Sequence, residues 1–457
     1  MIPMIVLSFL FQEGVPQDTI PAYGTGLQNI TMGGFFRGGF YSWIRSSDNK
    51  LYVPDAFSDL GLTLQAGNGK NYNAFADLRY RYGSQFSTPV SRFDLKEGFI
   101  KLYGKKWDVT AGQKIIKRGR ADFTNPASKL APQDYLYRSP DRDDMDVGNL
   151  LSEVRWHPSP IVDLEAVIVP FYRASTLIID PVPLPSDVSF KRLNSIIADS
   201  KFKSYGLKAD FHLKGVDWSF SWFDGFDPMP GIAMTKFMID PGQPLPVPSV
   251  ELSETPYRNR VAAADFETAI GNFGLRGEGA WSSPSAQGGT DEYVPLPDLK
   301  WVAGLDWFSG NWHFIGEYSG KYVARYYPSP VKPLTAGPDY TELALLLSDP
   351  SFDLREYVRE EVAAFNRLYN YQLKRYYHSF ALRIETNFLY DKIVPSLFSS
   401  FNFTSHELFV IPELKIKPSD GLTITTGAEV YSGPVNSLFS LINDFMNGFY
   451  VSLRVDF

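Results

Sequence analysis

Charged residues set two apart carry the most evident chemistry of this 457-residue chain. Asp77, Arg79 and Arg81 alternate with Leu78, Tyr80 and Tyr82, and Lys101 and Lys114 keep the same parity on the next two segments. Side chains two residues apart share one face of a β-strand. Arg79, Arg81, Lys101, Lys114 and Arg118 therefore form a basic strip, with Arg120 at its rim. Such a strip attracts anions and raises their local concentration. Asp77, Glu97 and Asp108 have the same parity, so a mutually paired wall that mainly hydrates a pore is the competing reading. Farther along, Asp265, Glu267, Glu278, Asp306, Glu317, Glu385, Glu413 and Glu429 predict an acidic wall with Arg276, Lys321, Arg383 and Lys415 interspersed. Opposed walls impose a transverse field that orients dipolar solutes. Glu278 and Glu317 thus join the basic residues as candidate selectivity groups.

Other chemistries have less support. Asp141, Asp143, Asp144 and Asp146 are hard oxygen ligands at a spacing that could hold Ca²⁺. The stretch lacks a sharp-turn Gly and a Glu at the twelfth position, which favours a solvated or Arg-paired loop. None of His157, His212, His313, His378 and His406 stands in a G-x-S-x-G or H-E-x-x-H context. His378 and Ser379 are neighbours in sequence, which on a strand points them to opposite faces. No catalytic residue, enzymatic activity or cofactor is expected. With no cysteine there is no disulfide and no thiolate ligand, and a net charge of −7 disfavours nucleic acid as a partner.

These charges require a scaffold that tolerates aromatic residues on the reverse face. Trp218, Phe220 and Trp222 oppose Asp217, Ser219 and Ser221, and Trp312, Phe314, Tyr318 and Tyr322 oppose His313, Glu317 and Lys321. Aromatic residues make up 15% of the chain, yet mean hydropathy is only −0.17. No internal run approaches the roughly 20 apolar residues of a membrane helix. A transmembrane β-barrel reconciles these facts, because its strands alternate lipid-facing apolar residues with polar lumen residues. The expected fold is all-β, an antiparallel up-and-down barrel of about 18 strands (16–18), counted as alternating segments of membrane-spanning length. They run from 31–44 through 106–118 and 161–173 to 375–390 and 446–457. Short Gly, Pro, Asn and Asp connections such as Asn68–Asn71, Gly215 and Gly271 alternate with long ones, the pattern of periplasmic turns and extracellular loops.

A barrel this wide leaves an aqueous channel unless loops fill it. Residues 119–148 are the candidate constriction loop, and the Pro-rich residues 227–255 should be extended and stiff. Residues 325–374 form a long extracellular insert in which Leu354, Val358, Val362, Phe365 and Leu368 predict a helix capped by Asp353. At the start, residues 1–14 read as a signal-peptide-like leader and 15–30 as a periplasmic segment before the barrel of 31–457. The last strand alternates from Phe449 to a terminal Phe457. It resembles the recognition strand by which bacterial outer-membrane barrels engage their assembly machinery.

The passage Ala111-Gly-Gln-Lys-Ile-Ile-Lys-Arg-Gly-Arg-Ala-Asp-Phe-Thr-Asn-Pro126, the later Asp-rich loop, Leu164–Tyr172 and Leu275–Ala280 resemble a porin-like group of Gram-negative outer-membrane proteins. The likeness to alginate-export-type 18-stranded porins is looser. By this resemblance Lys114, Arg118, Arg120 and Asp122 lie where the fifth strand enters a constricting loop, although Lys117-Arg118 replaces the usual aromatic before Gly. The resemblance implies an outer-membrane channel for passive or substrate-selective passage of small solutes, and the basic strip suggests anions. The alternative is a barrel subunit of a larger envelope complex that docks a protein partner through its long extracellular loops.

Overall fold

The computed structural model describes residues 30–44, 50–178, 187–193, 196–239, 248–286, 291–333, 345 and 348–457. The expected leader, 1–14, and nearly all of the 15–30 segment lie outside the described residues.

The alternating segments read from the sequence form the barrel strands. The first nine are β1 Ile30–Ile44, β2 Leu51–Gly67, β3 Tyr72–Gln85, β4 Thr88–Tyr103, β5 Trp107–Lys114, β6 Asn149–Ser159, β7 Val162–Val169, β8 Ser204–Leu213 and β9 Val216–Phe226. The second nine are β10 Arg258–Ile270, β11 Phe273–Ser285, β12 Asp298–Ser309, β13 Trp312–Val323, β14 Tyr376–Thr386, β15 Ile393–Asn402, β16 Glu407–Ser419, β17 Leu422–Ser432 and β18 Gly448–Asp456. Each pairs antiparallel with its sequence neighbour, and β1 pairs with β18 to close one 18-stranded sheet. Terminal Phe457 completes the seam, exchanging two backbone hydrogen bonds of 2.9 Å with Gly34. Closure leaves the barrel without a free edge strand, as a lipid-facing sheet requires. On β3, Tyr82 is 63% exposed on the outer surface while Arg81 is 2% exposed on the inner one.

Glycine makes the tightest turns possible. Gly215 (φ 87°) and Gly271 (φ 62°) adopt left-handed backbone that joins β8 to β9 and β10 to β11. Several strands end earlier than their alternation suggests. The segment 106–118 stops at Lys114, because residues 115–148 leave the wall for the interior, and 161–173 stops at Val169. The segment 375–390 stops at Thr386, because Leu389, Tyr390 and Asp391 all take left-handed φ and turn the chain.

The loop end of the barrel is filled by a packed apolar core. Helix α1, Leu354–Tyr369, is capped by Asp353, whose carboxylate accepts the Arg355 and Glu356 N–H groups. Its Leu354, Val358, Val362 and Phe365 pack with Ile232, Val250 and Leu252, which belong to a hairpin of Gly231–Ile239 and Pro248–Thr255. The stiff extended segment expected over 227–255 is thus a hairpin where it is described. Asn366 ties helix to hairpin, donating to Ile232 O at 2.8 Å and accepting the Ile232 N–H at 3.0 Å. A second helix, α2 (Leu438–Met446), lies where alternation gave only a loop. Nine residues are too few for a stable isolated helix. Burial of Leu438, Phe439, Ile442, Phe445 and Met446 against Trp43, Phe86 and Tyr431 holds it. Each such side chain contributes at most about 1.5–3 kcal/mol.

Candidate functional site

The lumen is shaped by residues 115–148, which cross it and are pinned to opposite walls. Arg118 Nη2 meets Glu165 Oε1 at 2.8 Å, and Nη1 donates to the Leu207 carbonyl at 2.8 Å. Arg120 reaches Asp265 at 2.8 Å, and Asp122 pairs with Arg276. Glu317 accepts the N–H groups of Asp122 and Phe123, both at 3.0 Å, and Glu278 accepts that of Ala127 at 2.7 Å. Lys129 then binds Asp227 at 2.9 Å.

The chain returns across the lumen to the seam. Arg138 and Arg142 both grip Glu429, at 2.9 and 2.6 Å. Asp144 contacts Arg37 at 2.7 Å, with Arg79 and Lys96 within 4 Å. Burial alone would push the Asp144 carboxyl up, but the Arg37, Lys96 and Arg79 charges hold it well below the usual carboxylate range. Lys117 closes the base of the loop by pairing with Asp143 and Asp146. Asp141 caps the short helical turn Arg142–Met145. The four Asp-rich carboxylates are directed at cations and backbone rather than at one centre, a set that does not fit Ca²⁺. The described residues contain no group of three ligands that could hold a metal ion.

The candidate selectivity residues are placed as follows. Arg79 pairs with Asp77 and Arg81 with Asp59, each at 2.6 Å. Lys101 meets Asp108 at 3.0 Å and Lys114 meets Glu153 at 2.6 Å. Arg118 and Arg120 anchor the start of the loop, as described, and Glu278 and Glu317 receive its backbone. Every cation of the strip has a carboxylate partner. The strip and the acidic wall are connected through the loop, which carries charge from one to the other.

Space remains beside the loop tip, along β14–β18 and β1. This cavity of about 330 Å³ is lined by Arg37, Arg142, Arg383, Lys415, Lys417 and Arg454, with the carboxylates Asp141, Asp143, Glu413 and Asp456. Lys417 has no ion-pair partner among the described residues, and the side chains of Arg454 and Lys415 are about one-third exposed. Parity alone marks Arg383 and Lys415 as inward-facing. The contribution of Arg37 and Arg454 was missed, because they meet across the closing seam and the loop delivers Arg142 from elsewhere.

A second cavity of about 70 Å³ lies one inward step nearer the loop end. Ala381 and Ser400 line it, whereas Arg383 and Phe398, two residues along the same strands, line the larger one. At their border Phe398 packs edge-on against Phe123 of the lumen-crossing loop, with ring centroids 5.1 Å apart. An aromatic pair therefore marks the border of the large basic cavity on the side of the smaller one.

No family model matches this sequence, and no curated relative does. Solved structures nevertheless share its architecture. OccK9 (OpdG) of Pseudomonas aeruginosa is 7% identical with a TM-score of 0.53, covering 94% of this chain and 98% of its own. A BenF-like porin from Pseudomonas fluorescens Pf-5 is 9% identical at 0.53, with the same two coverages of 94% and 98%. OccK2 (OpdF) of Pseudomonas aeruginosa, solved in complex with glucuronate, is 8% identical at 0.53 and is covered over 97% of its length by 94% of this chain. At such identities the likeness concerns fold. The chain has the closed 18-stranded antiparallel barrel fold of Gram-negative outer-membrane porins.

Proposed function

We propose that this protein is an outer-membrane channel that passes small anionic solutes. The observation that carries the reading is the 330 Å³ cavity beside the loop tip, where six cations face four carboxylates. In a low-dielectric enclosure that imbalance concentrates anions and disfavours cations. The basic strip of Arg79, Arg81, Lys101, Lys114, Arg118 and Arg120 acts differently, setting the position of the loop and hence the width of the pore. The fold shared with solved porins, one of them holding glucuronate, supports passage of solutes rather than catalysis. Docking of an envelope partner through residues 227–255 and 325–374 lacks a comparable observation, since the apolar side of α1 is turned into the barrel mouth.

Planar-bilayer recording under a salt gradient tests the proposal. The expected result is a reversal potential of the sign for anion preference, shrinking in the combined Arg383→Gln, Lys415→Gln and Lys417→Gln variant. Cation preference in the wild-type channel, or unchanged preference in the variant, would refute it.

A further inference from the structure

The smaller cavity is lined by a lysine that makes no direct ion pair among the described residues. Lys300 on β12 and Lys321 on β13 are direct register partners, and both line it. Like charges directly opposite in an antiparallel pair destabilise the sheet. Two other cation pairs occur among the described register partners, Arg37 with Arg454 and Arg81 with Arg92. In those pairs every guanidinium has a carboxylate: Asp59 for Arg37 and Arg81, Asp456 for Arg454 and Asp94 for Arg92.

At the lysine pair only Lys321 makes an ion pair among the described residues. Lys321 Nζ meets Asp298 Oδ2 at 3.0 Å and also donates to the Asn370 carbonyl. Asp298 Oδ2 further accepts a hydrogen bond from Gln372 at 3.1 Å. Lys300 makes no ion pair among the described residues, although Asp298 is two positions away on its own strand. On its other side Lys300 borders a cavity of about 120 Å³ shared with Lys129, whose charge is taken by Asp227. The carboxylate lining the smaller cavity, Glu407, is occupied by neutral donors: the Ser405 hydroxyl at 2.6 Å and the Phe439 N–H at 2.8 Å. Thr124, Ser319, Ser379, Ser400 and Asn402 add hydroxyl and amide groups to the lining.

We propose that this cavity binds a small oxyanion between Lys300 and Lys321. Two ammonium groups with surrounding hydroxyls are the donor set an oxyanion requires. A volume of about 70 Å³ holds a ligand of acetate or phosphate size, roughly two waters at about 30 Å³ each. The site lies on the loop side of the Phe123–Phe398 pair, so the anion pauses there before it meets the large basic cavity. This inference deepens the anion-passage reading and rests on it, but its test measures binding and does not depend on conduction.

The purified full-length barrel, folded in detergent and kept in chloride-free buffer, is titrated calorimetrically with inorganic phosphate and, separately, with acetate. Saturable binding of at least one is expected. Phosphate preference marks a phosphoryl-type ligand and acetate preference a carboxylate. Lys300→Met should weaken binding at least tenfold, whereas Lys236→Gln, which removes an exposed lysine of the loop hairpin, should leave it unchanged. Ser400→Leu, which fills the cavity and keeps both lysines, should abolish binding and serves if Lys300→Met does not fold. Wild-type affinity in either lumen variant, or no saturable binding to the wild-type barrel, overturns the site. Anion binding that persists in a channel without anion preference would instead sink the passage reading alone.

Discussion

Two arcs of the lumen wall carry cations in similar number but differ in how much open space those cations border. Along β3–β6, Arg79, Arg81, Lys101 and Lys114 each hold a carboxylate, and the Arg81–Asp59 pair is 2% exposed on both sides. Along β14–β18, Arg383, Lys415 and Arg454 also hold carboxylates two residues away on their own strands, at 2.7, 3.4 and 2.8 Å, but with Lys417 they border open space. Buried pairs fix geometry, since each desolvated ion depends on its partner. Cations that remain partly exposed hold their pairs weakly and stay accessible to a solute. A basic strip in the sequence is therefore not yet a binding strip. What matters is how much of its charge the folded chain has already answered.

The difference can be broken most severely at Asp59, which serves Arg37 and Arg81 together. Asp59→Asn should cost about 3–5 kcal/mol, the usual result of removing one partner from a buried pair. Urea unfolding of the detergent-folded barrel measures it, and a loss below about 1 kcal/mol would show the first arc to be as loosely paired as the second. Phe398→Ala removes the ring at the border of the two cavities and should cost about 3 kcal/mol. It should also raise single-channel conductance several-fold, whereas unchanged conductance would mean that Phe398 bounds no part of the path.

Lower on the scale, Arg454→Gln combined with Lys417→Gln should reduce the anion-to-cation permeability ratio roughly three- to tenfold, equivalent to about 1 kcal/mol. Stability should change by less than that, as for exposed pairs. The reverse outcome, a stability loss without a selectivity change, would erase the contrast between the arcs. Lys101→Gln, whose partner Asp108 lies in the paired arc, should cost under about 1 kcal/mol and leave the permeability ratio intact.

The smallest effect concerns acid. The Asp144 carboxyl is held below its usual range, so its contribution is present above the unfolded carboxylate value and is lost only as pH falls through the lower folded one. The stability difference between wild type and Asp144→Asn should stay constant from pH 7 to about 4 and shrink below that. A difference that already shrinks near pH 6 would mean that Arg37, Arg79 and Lys96 do not clamp the loop.

Much of the fold was legible because a strand encodes its two faces residue by residue. All 18 alternating segments became barrel strands, and the spacing of Leu354, Val358, Val362 and Phe365 with Asp353 before them became helix α1. Helix α2 was not legible. In Leu438–Met446 the chain is short and its apolar residues, Leu438, Phe439, Ile442, Phe445 and Met446, acquire meaning only against the barrel mouth. The site was legible in half. Parity put Arg79, Arg81 and Glu317 inside, but nothing local connects Glu317 with the backbone of Asp122, 195 residues away. Lys321 was seen as one cation in an acidic wall, and Lys300 was not singled out at all, because their conflict exists only once β12 and β13 take their register.

The barrel, its strand count and which side chains face the lumen are written locally, because a period of two is a property of the backbone. Which lumen charges find a partner and which stay accessible is settled only by the folded chain. That depends on where residues 115–148 cross the barrel and on which strands meet at the closing seam, and Coulomb interactions act through space rather than along the chain.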